Sequence, residues 1–159
     1  MNRKKIFIAI FSWILVFLTL LMITKFSLED DQKSTDSSDQ IFDSVIKDET
    51  SLNKDDIKAA HRFIRKFAHL GIYMLLGFCL NNAFFVSFDL KNFFNGCLTI
   101  FFGFTFSIFD EFIIQGSTQG RTPMFTDVLI DFLGLLIGAL ILTAFVTFIK
   151  KINKKEISN

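Results

Sequence analysis

The chain has 159 residues, 51% of them hydrophobic, with 23 Phe and a single Pro. Lys and Arg number 17 against 16 Asp and Glu, a net charge of +1, so no basic excess marks a nucleic-acid-binding surface. Such a composition can bury a large apolar surface but departs from that of an ordinary soluble domain, and lipid is the solvent it fits.

A hydrocarbon core about 30 Å thick takes about 20 mostly apolar residues at about 1.5 Å rise each. Four stretches approach that length, at 6–24, 70–88, 93–109 and 128–149. The first, IFIAIFSWILVFLTLLMIT, carries no charge and follows Arg3, Lys4 and Lys5. It lacks a small-residue cleavage site, so it is expected to stay as a membrane span and not to be removed as a signal peptide.

The segment 25–69 begins as a polar, Ser- and Asp-rich stretch that can bury little by itself. From Asn53 the pattern changes. A capping Asn, Asp55 and Asp56 in the first turn, and Ile57, Ala60, Ile64, Phe67 and Ala68 at helical spacing predict an amphipathic helix. It would lie on the membrane surface and run into the second span. At the junction, RKFAHLGIY places Arg65 and Lys66 within a turn before His69 and Tyr73 one turn after it, on a shared face. Read alone, that face is an interfacial belt whose cations snorkel to headgroups.

The second span is interrupted by Asn81 and Asn82, and a short connection around Asp89 and Lys91 leads to the third. Then comes DEFIIQGSTQGR, 110–121, in a stretch expected as an outer loop over 110–127. It carries Asp110, Glu111, Gln115 and Arg121, with Glu111 and Gln115 at i, i+4.

The fourth span, opening TDVLIDFLGLLIG, sets Asp127, Asp131, Gly134 and Gly138 on one helical face. An aspartate within a span costs about 2.5–3.5 kcal/mol on insertion scales and therefore needs a partner. Gly134 and Gly138 form G-x-x-x-G, which admits a neighbouring helix closely. The cations at the same depth are Arg65, Lys66, His69 and Arg121. A structural ion pair and a functional pocket both fit this arrangement.

Charge sets the orientation. Three basic residues precede span one, and Lys150, Lys151, Lys154 and Lys155 form a tail over 150–159. An even number of spans puts both on one side, which the positive-inside rule makes the cytoplasm. The segments 25–69 and 110–127 then face out. Cys79 and Cys97 lie within spans and read as small apolar fillers, not as a disulfide or a thiolate metal site. No P-loop, G-x-G-x-x-G, EF-hand spacing or internal repeat occurs. The acids match no known metal signature, so no metal is expected and no cofactor is assigned.

The blocks RKFAHLGIYMLLG, DEFIIQGSTQGR and TDVLIDFLGLLIG, in that order between apolar spans, resemble the signature blocks of the VanZ-like family of bacterial integral membrane proteins. Its founding member is associated with resistance to the glycopeptide teicoplanin. Phe26 and Ser27, leading into a Ser-rich stretch over 34–38, resemble the family as well. The resemblance carries Lys66, His69 and Tyr73 onto its basic-x-x-His and following Tyr. Asp110, Glu111 and Gln115 resemble its D-E-x-x-Q, Arg121 its loop arginine, and Asp127, Asp131, Gly134 and Gly138 its last helix. Three departures stand out. Gln115 is one residue farther from the acids than usual, Ile72 stands where many members carry Glu, and Gln119 replaces Pro before Gly-Arg.

The expected fold is an all-α membrane protein, one VanZ-like domain over 1–159. Four transmembrane helices form a bundle, with an outer amphipathic helix leading into the second. The expected setting is the bacterial cell membrane, with both termini cytoplasmic. Three functions follow from different premises. Arg65, Lys66, His69 and Arg121 with the carboxylates suit a lipid-linked anionic ligand, with Arg65 or Arg121 gripping phosphate, so the protein would bind or modify an envelope lipid or cell-wall precursor and lower glycopeptide susceptibility. Alternatively, His69 with Glu111 or Asp127 would act as acid and base on a lipid phosphate or ester, a reading in which paired carboxylates could hold Mg²⁺ or Ca²⁺ through oxygen ligands. In the third reading the chain is a structural or regulatory scaffold whose polar residues fix helix register.

Overall fold

The structure, a computed structural model, describes residues 3–28, 54–88, 91–118 and 122–157. Among them every element is helical: α1 over Arg3–Ser27, α2 over Lys54–Ser87, α3 over Asn92–Phe109 and α4 over Phe125–Ile157. Each is long and apolar enough to cross a membrane, α3 together with the turns that extend it to Ser117. The surface helix and the second span expected from the sequence are one continuous 34-residue helix. Arg121 lies outside the described residues, as do the Ser-rich stretch 34–38 and Gln119.

In water, burial selects large apolar side chains; in a bilayer, lipid already solvates those, and close approach of small or polar residues drives association. The helices show this inversion. The face that α1 buries is Ala9, Ser12, Val16, Thr19, Ile23 and Ser27, while Phe7, Phe11 and Phe17 face outward. On α3 the buried residues are Asn95, Thr99, Gly103 and Ser107, every fourth position. Hydroxyls midway along these faces bond within their own helix: Ser12 Oγ donates to Ile8 O at 2.9 Å, Thr19 Oγ1 to Leu15 O at 2.8 Å and Thr99 Oγ1 to Asn95 O at 2.9 Å. Each such bond satisfies a hydroxyl that lipid could not.

Helix α2 is the hub, packing on α1, α3 and α4 and supplying most of the core, with Tyr73, Leu76, Leu80, Ala83 and Phe84 against Val16, Ile23 and Leu135. It runs parallel to α4, as an up-down-up-down bundle requires. A Cβ built on Gly134 would strike Leu70 O, and one on Gly138 would strike Met74 O, so these glycines set how closely the two backbones approach. Gly77 does the same from the α2 side, against the carbonyl of Leu135. Toward the other end of α2, Asn81 Nδ2 donates to Ala139 O at 2.9 Å and to Thr143 Oγ1 at 3.0 Å, and Asn82 Nδ2 donates to Ser12 Oγ at 2.9 Å. The two asparagines that weaken the second span as a hydropathy signal thus join α2 to α4 and to α1.

The segment expected as a loop over 110–127 is helical at both ends. Helix α3 continues as a π-turn, Asp110–Ile114, and a 3₁₀ turn, Gln115–Ser117. Helix α4 begins at Phe125. The polar residues there have other carboxylates and hydroxyls to bond, so polarity in the sequence marks a buried network and not a chain leaving the bundle.

Candidate functional site

The end of α1, the first half of the described α2, the end of α3 and the start of α4 meet at one end of the bundle, and most of the signature residues lie there. The π-turn decides how. Gln115 N–H donates to the carbonyls of both Asp110 and Glu111, so one extra residue is accommodated without unwinding the helix. The Gln115 side chain therefore stays beside both acids: Nε2 donates to Glu111 Oε2 at 2.8 Å and lies 3.3 Å from Asp110 Oδ2. The displaced glutamine noted in the sequence is restored to the acids by backbone geometry.

Asp110 is fully buried. Its Oδ2 accepts from Ser27 Oγ at 2.8 Å and from Tyr73 Oη at 3.3 Å, as well as from Gln115. One carboxylate thus joins α1, α2 and the turn after α3. Glu111 is also buried, with both oxygens engaged: Oε2 by Gln115, and Oε1 by the Met124 backbone N–H at 2.8 Å. It holds the entry of α4 in place.

Asp131 is fully buried as well. Its Oδ2 accepts from Ser107 Oγ at 3.1 Å, and its Oδ1 lies 3.4 Å from His69 Nδ1, without hydrogen-bond alignment. Closer to the surface, Lys66 Nζ pairs with Asp127 Oδ1 at 2.8 Å. Arg65, Lys66, His69, Gln115, Asp127 and Ile130 line a small, shallow cleft. The His69 ring stacks 6.4 Å from that of Tyr73, below the cleft.

The candidates therefore separate by depth. Arg65, Lys66, His69, Gln115 and Asp127 meet the cleft, whereas Tyr73, Asp110, Glu111 and Asp131 form the buried layer beneath it. Gly134 and Gly138 lie farther along α4, against α2. Ile72 packs partly buried against the core. Sequence reasoning assigned no site role to Ser27 and Ser107, which hold the two buried aspartates. The signal for Ser107 was the four-residue spacing of Asn95, Thr99, Gly103 and Ser107 through a Phe-rich helix; for Ser27 it was the last step of the small-residue stripe of α1.

Chemically, the layer supplies carboxylates held by neutral donors, and the cleft supplies cations at the end of a membrane-spanning bundle. A search of curated proteins and of solved structures returns no match. The family model VanZ/LLP1 matches residues 6–147. That stretch takes in part or all of each of the four helices and every residue of both the layer and the cleft, and the chain belongs to the VanZ/LLP1 family.

Proposed function

We propose that the protein binds the anionic headgroup of a membrane lipid or lipid-linked cell-wall precursor at this cleft, on the outer face of the bacterial cell membrane, and that it lowers susceptibility to glycopeptides such as teicoplanin. The observation that carries the reading is the convergence of Arg65, Lys66 and His69 on one cleft at the end of a four-helix bundle. A headgroup phosphate at membrane depth is a ligand whose charge such cations match, while its acyl or polyprenyl chain stays in lipid. Asp127 keeps Lys66 in place at 2.8 Å, and Gln115 adds a neutral donor at the cleft wall.

The test is native mass spectrometry of the full chain in detergent, titrated with phosphatidylglycerol, a polyprenyl phosphate and zwitterionic phosphatidylcholine. Binding of one or both anionic lipids, reduced at least about 10-fold in Arg65→Ala/Lys66→Ala, is expected from loss of about 1.5–3 kcal/mol per charged contact. Equal retention of all three lipids by wild type would overturn the reading. For the resistance part, deletion should raise teicoplanin susceptibility and overexpression should lower it; no change in either direction removes that part alone.

A further inference from the structure

We infer that His69, Asp110 and Asp131 form a binding site for one divalent cation, of the class that accepts mixed imidazole and carboxylate ligands, Mn²⁺ or Zn²⁺. One ligand atom from each of the three lies within 4.8 Å of the others. Metal bonds of about 2.0–2.2 Å place neighbouring ligand atoms about 3–3.5 Å apart around an ion, so binding would draw the set in by up to roughly 1–2 Å of side-chain movement. No sequence motif marks it because each ligand comes from a different segment: α2, the π-turn after α3, and α4.

The second observation is independent of this proximity. Asp110 and Asp131 have no exposed surface, and each has one oxygen held by neighbours and the other, Oδ1, without a hydrogen-bond partner. His69 Nδ1 is likewise buried, and its nearest acceptor, Asp131 Oδ1 at 3.4 Å, is out of hydrogen-bond alignment. Buried polar atoms almost always find partners; Asp110 Oδ1 has none, and His69 Nδ1 and Asp131 Oδ1 have only each other at 3.4 Å without alignment, which leaves room for a partner shared by the three side chains. The donors on the opposite edges, Ser107 on Asp131 and Ser27, Tyr73 and Gln115 on Asp110, are the outer contacts that orient ligating carboxylates.

Charge points the same way. The donors to these carboxylates are neutral, and Lys66 is engaged by Asp127 nearer the surface. A doubly positive ion with two carboxylates and a neutral imidazole makes a neutral cluster, which a bundle interior tolerates far better than two anions. The imidazole nitrogen favours Mn²⁺ or Zn²⁺ over Mg²⁺ or Ca²⁺, and no thiolate is present to select a softer ion. His69 lines the cleft, so an ion has a path in, and its remaining positions would face water or a ligand oxygen from that side. The inference does not depend on what anion the cleft takes.

The experiment is metal binding by the full chain in detergent, without added lipid. The protein is stripped with chelator and dialysed against Mn²⁺, Zn²⁺ or Mg²⁺ in turn, and bound metal is measured by mass spectrometry, with the loss of the free Mn²⁺ resonance signal as a second reading. We expect about one Mn²⁺ or Zn²⁺ per chain and no retained Mg²⁺. His69→Ala, Asp110→Asn and Asp131→Asn should abolish it, and replacing both cysteines should not change it. Ser107→Ala, which leaves all three ligands intact, should weaken binding about 10-fold or more. A wild-type chain that retains no stoichiometric metal overturns the proposal, as does undiminished binding in a folded Asp131→Asn. Should the ligand variants fail to fold, the wild-type titration and Ser107→Ala decide. Lipid binding that persists in metal-stripped protein separates this inference from the proposed function.

Discussion

Glu111 shows what a single side chain does in this bundle. One reading of the sequence pairs Glu111 with His69 as acid and base; in the structure its two oxygens accept from Gln115 and from the Met124 backbone at 2.8 Å each, which gives it a structural role. Removing a partner from a buried donor costs about 1–3 kcal/mol. Glu111→Ala should therefore lower the unfolding free energy in detergent by that much, seen as a lower midpoint, and Glu111→Gln, which keeps an acceptor for Met124, by clearly less. Equal midpoints for wild type and Glu111→Ala would disprove the latch. The same reasoning explains why Asp127 differs from Asp131, four residues away on one face. Asp127 stays partly exposed and pairs with Lys66, whereas Asp131 is sealed under His69 and Ser107.

At the scale of the element, the contact between α2 and α4 carries the layer, because His69 and Tyr73 come from one helix and Asp131 from the other. That contact rests on backbones meeting where Gly134, Gly138 and Gly77 lack a side chain. A methyl group at Gly138 would meet Met74 O and the Phe78 nitrogen, atoms that cannot rotate away. Overpacking of this kind typically costs about 1–3 kcal/mol. Gly138→Ala should lower the unfolding midpoint and reduce the amount of folded protein in the membrane. Gly71→Ala and Gly96→Ala, where an added Cβ meets nothing within 4 Å, should leave both unchanged or slightly improved. If all three variants behave alike, close approach is not what holds these helices. The π-turn belongs to this scale as well, since it lets a helix with one residue too many keep Gln115 beside its acids.

At the scale of the whole molecule, the chain is a multi-pass membrane protein whose exterior is largely Phe, Ile and Leu. Its candidate site lies where α1 and α3 end and where α2 and α4 begin to pack. We expect that end to face outward. Single cysteines at Ser117 and at Asn153, in a chain with Cys79 and Cys97 replaced, test this with a membrane-impermeant maleimide on intact cells. Labelling at 117 and not at 153 is the expected result; the reverse pattern would invert the topology, and with it the accessible side of the cleft.

The all-helical class and the number of spans were legible in the sequence, because lipid imposes length and apolarity on each helix independently of its neighbours. Helical periodicity likewise put Lys66 with His69 and Asp127 with Asp131, since one turn is a local property. Only the tertiary structure decided which carboxylates are buried, that Glu111 binds a backbone amide, that Ser27 and Ser107 orient Asp110 and Asp131, and that residues 110–117 continue the helix. Those facts depend on which faces of four helices meet. In a bilayer that choice is made by small residues and hydrogen bonds whose partners are distant in the chain, not by the hydrophobic pattern that sequence displays most strongly.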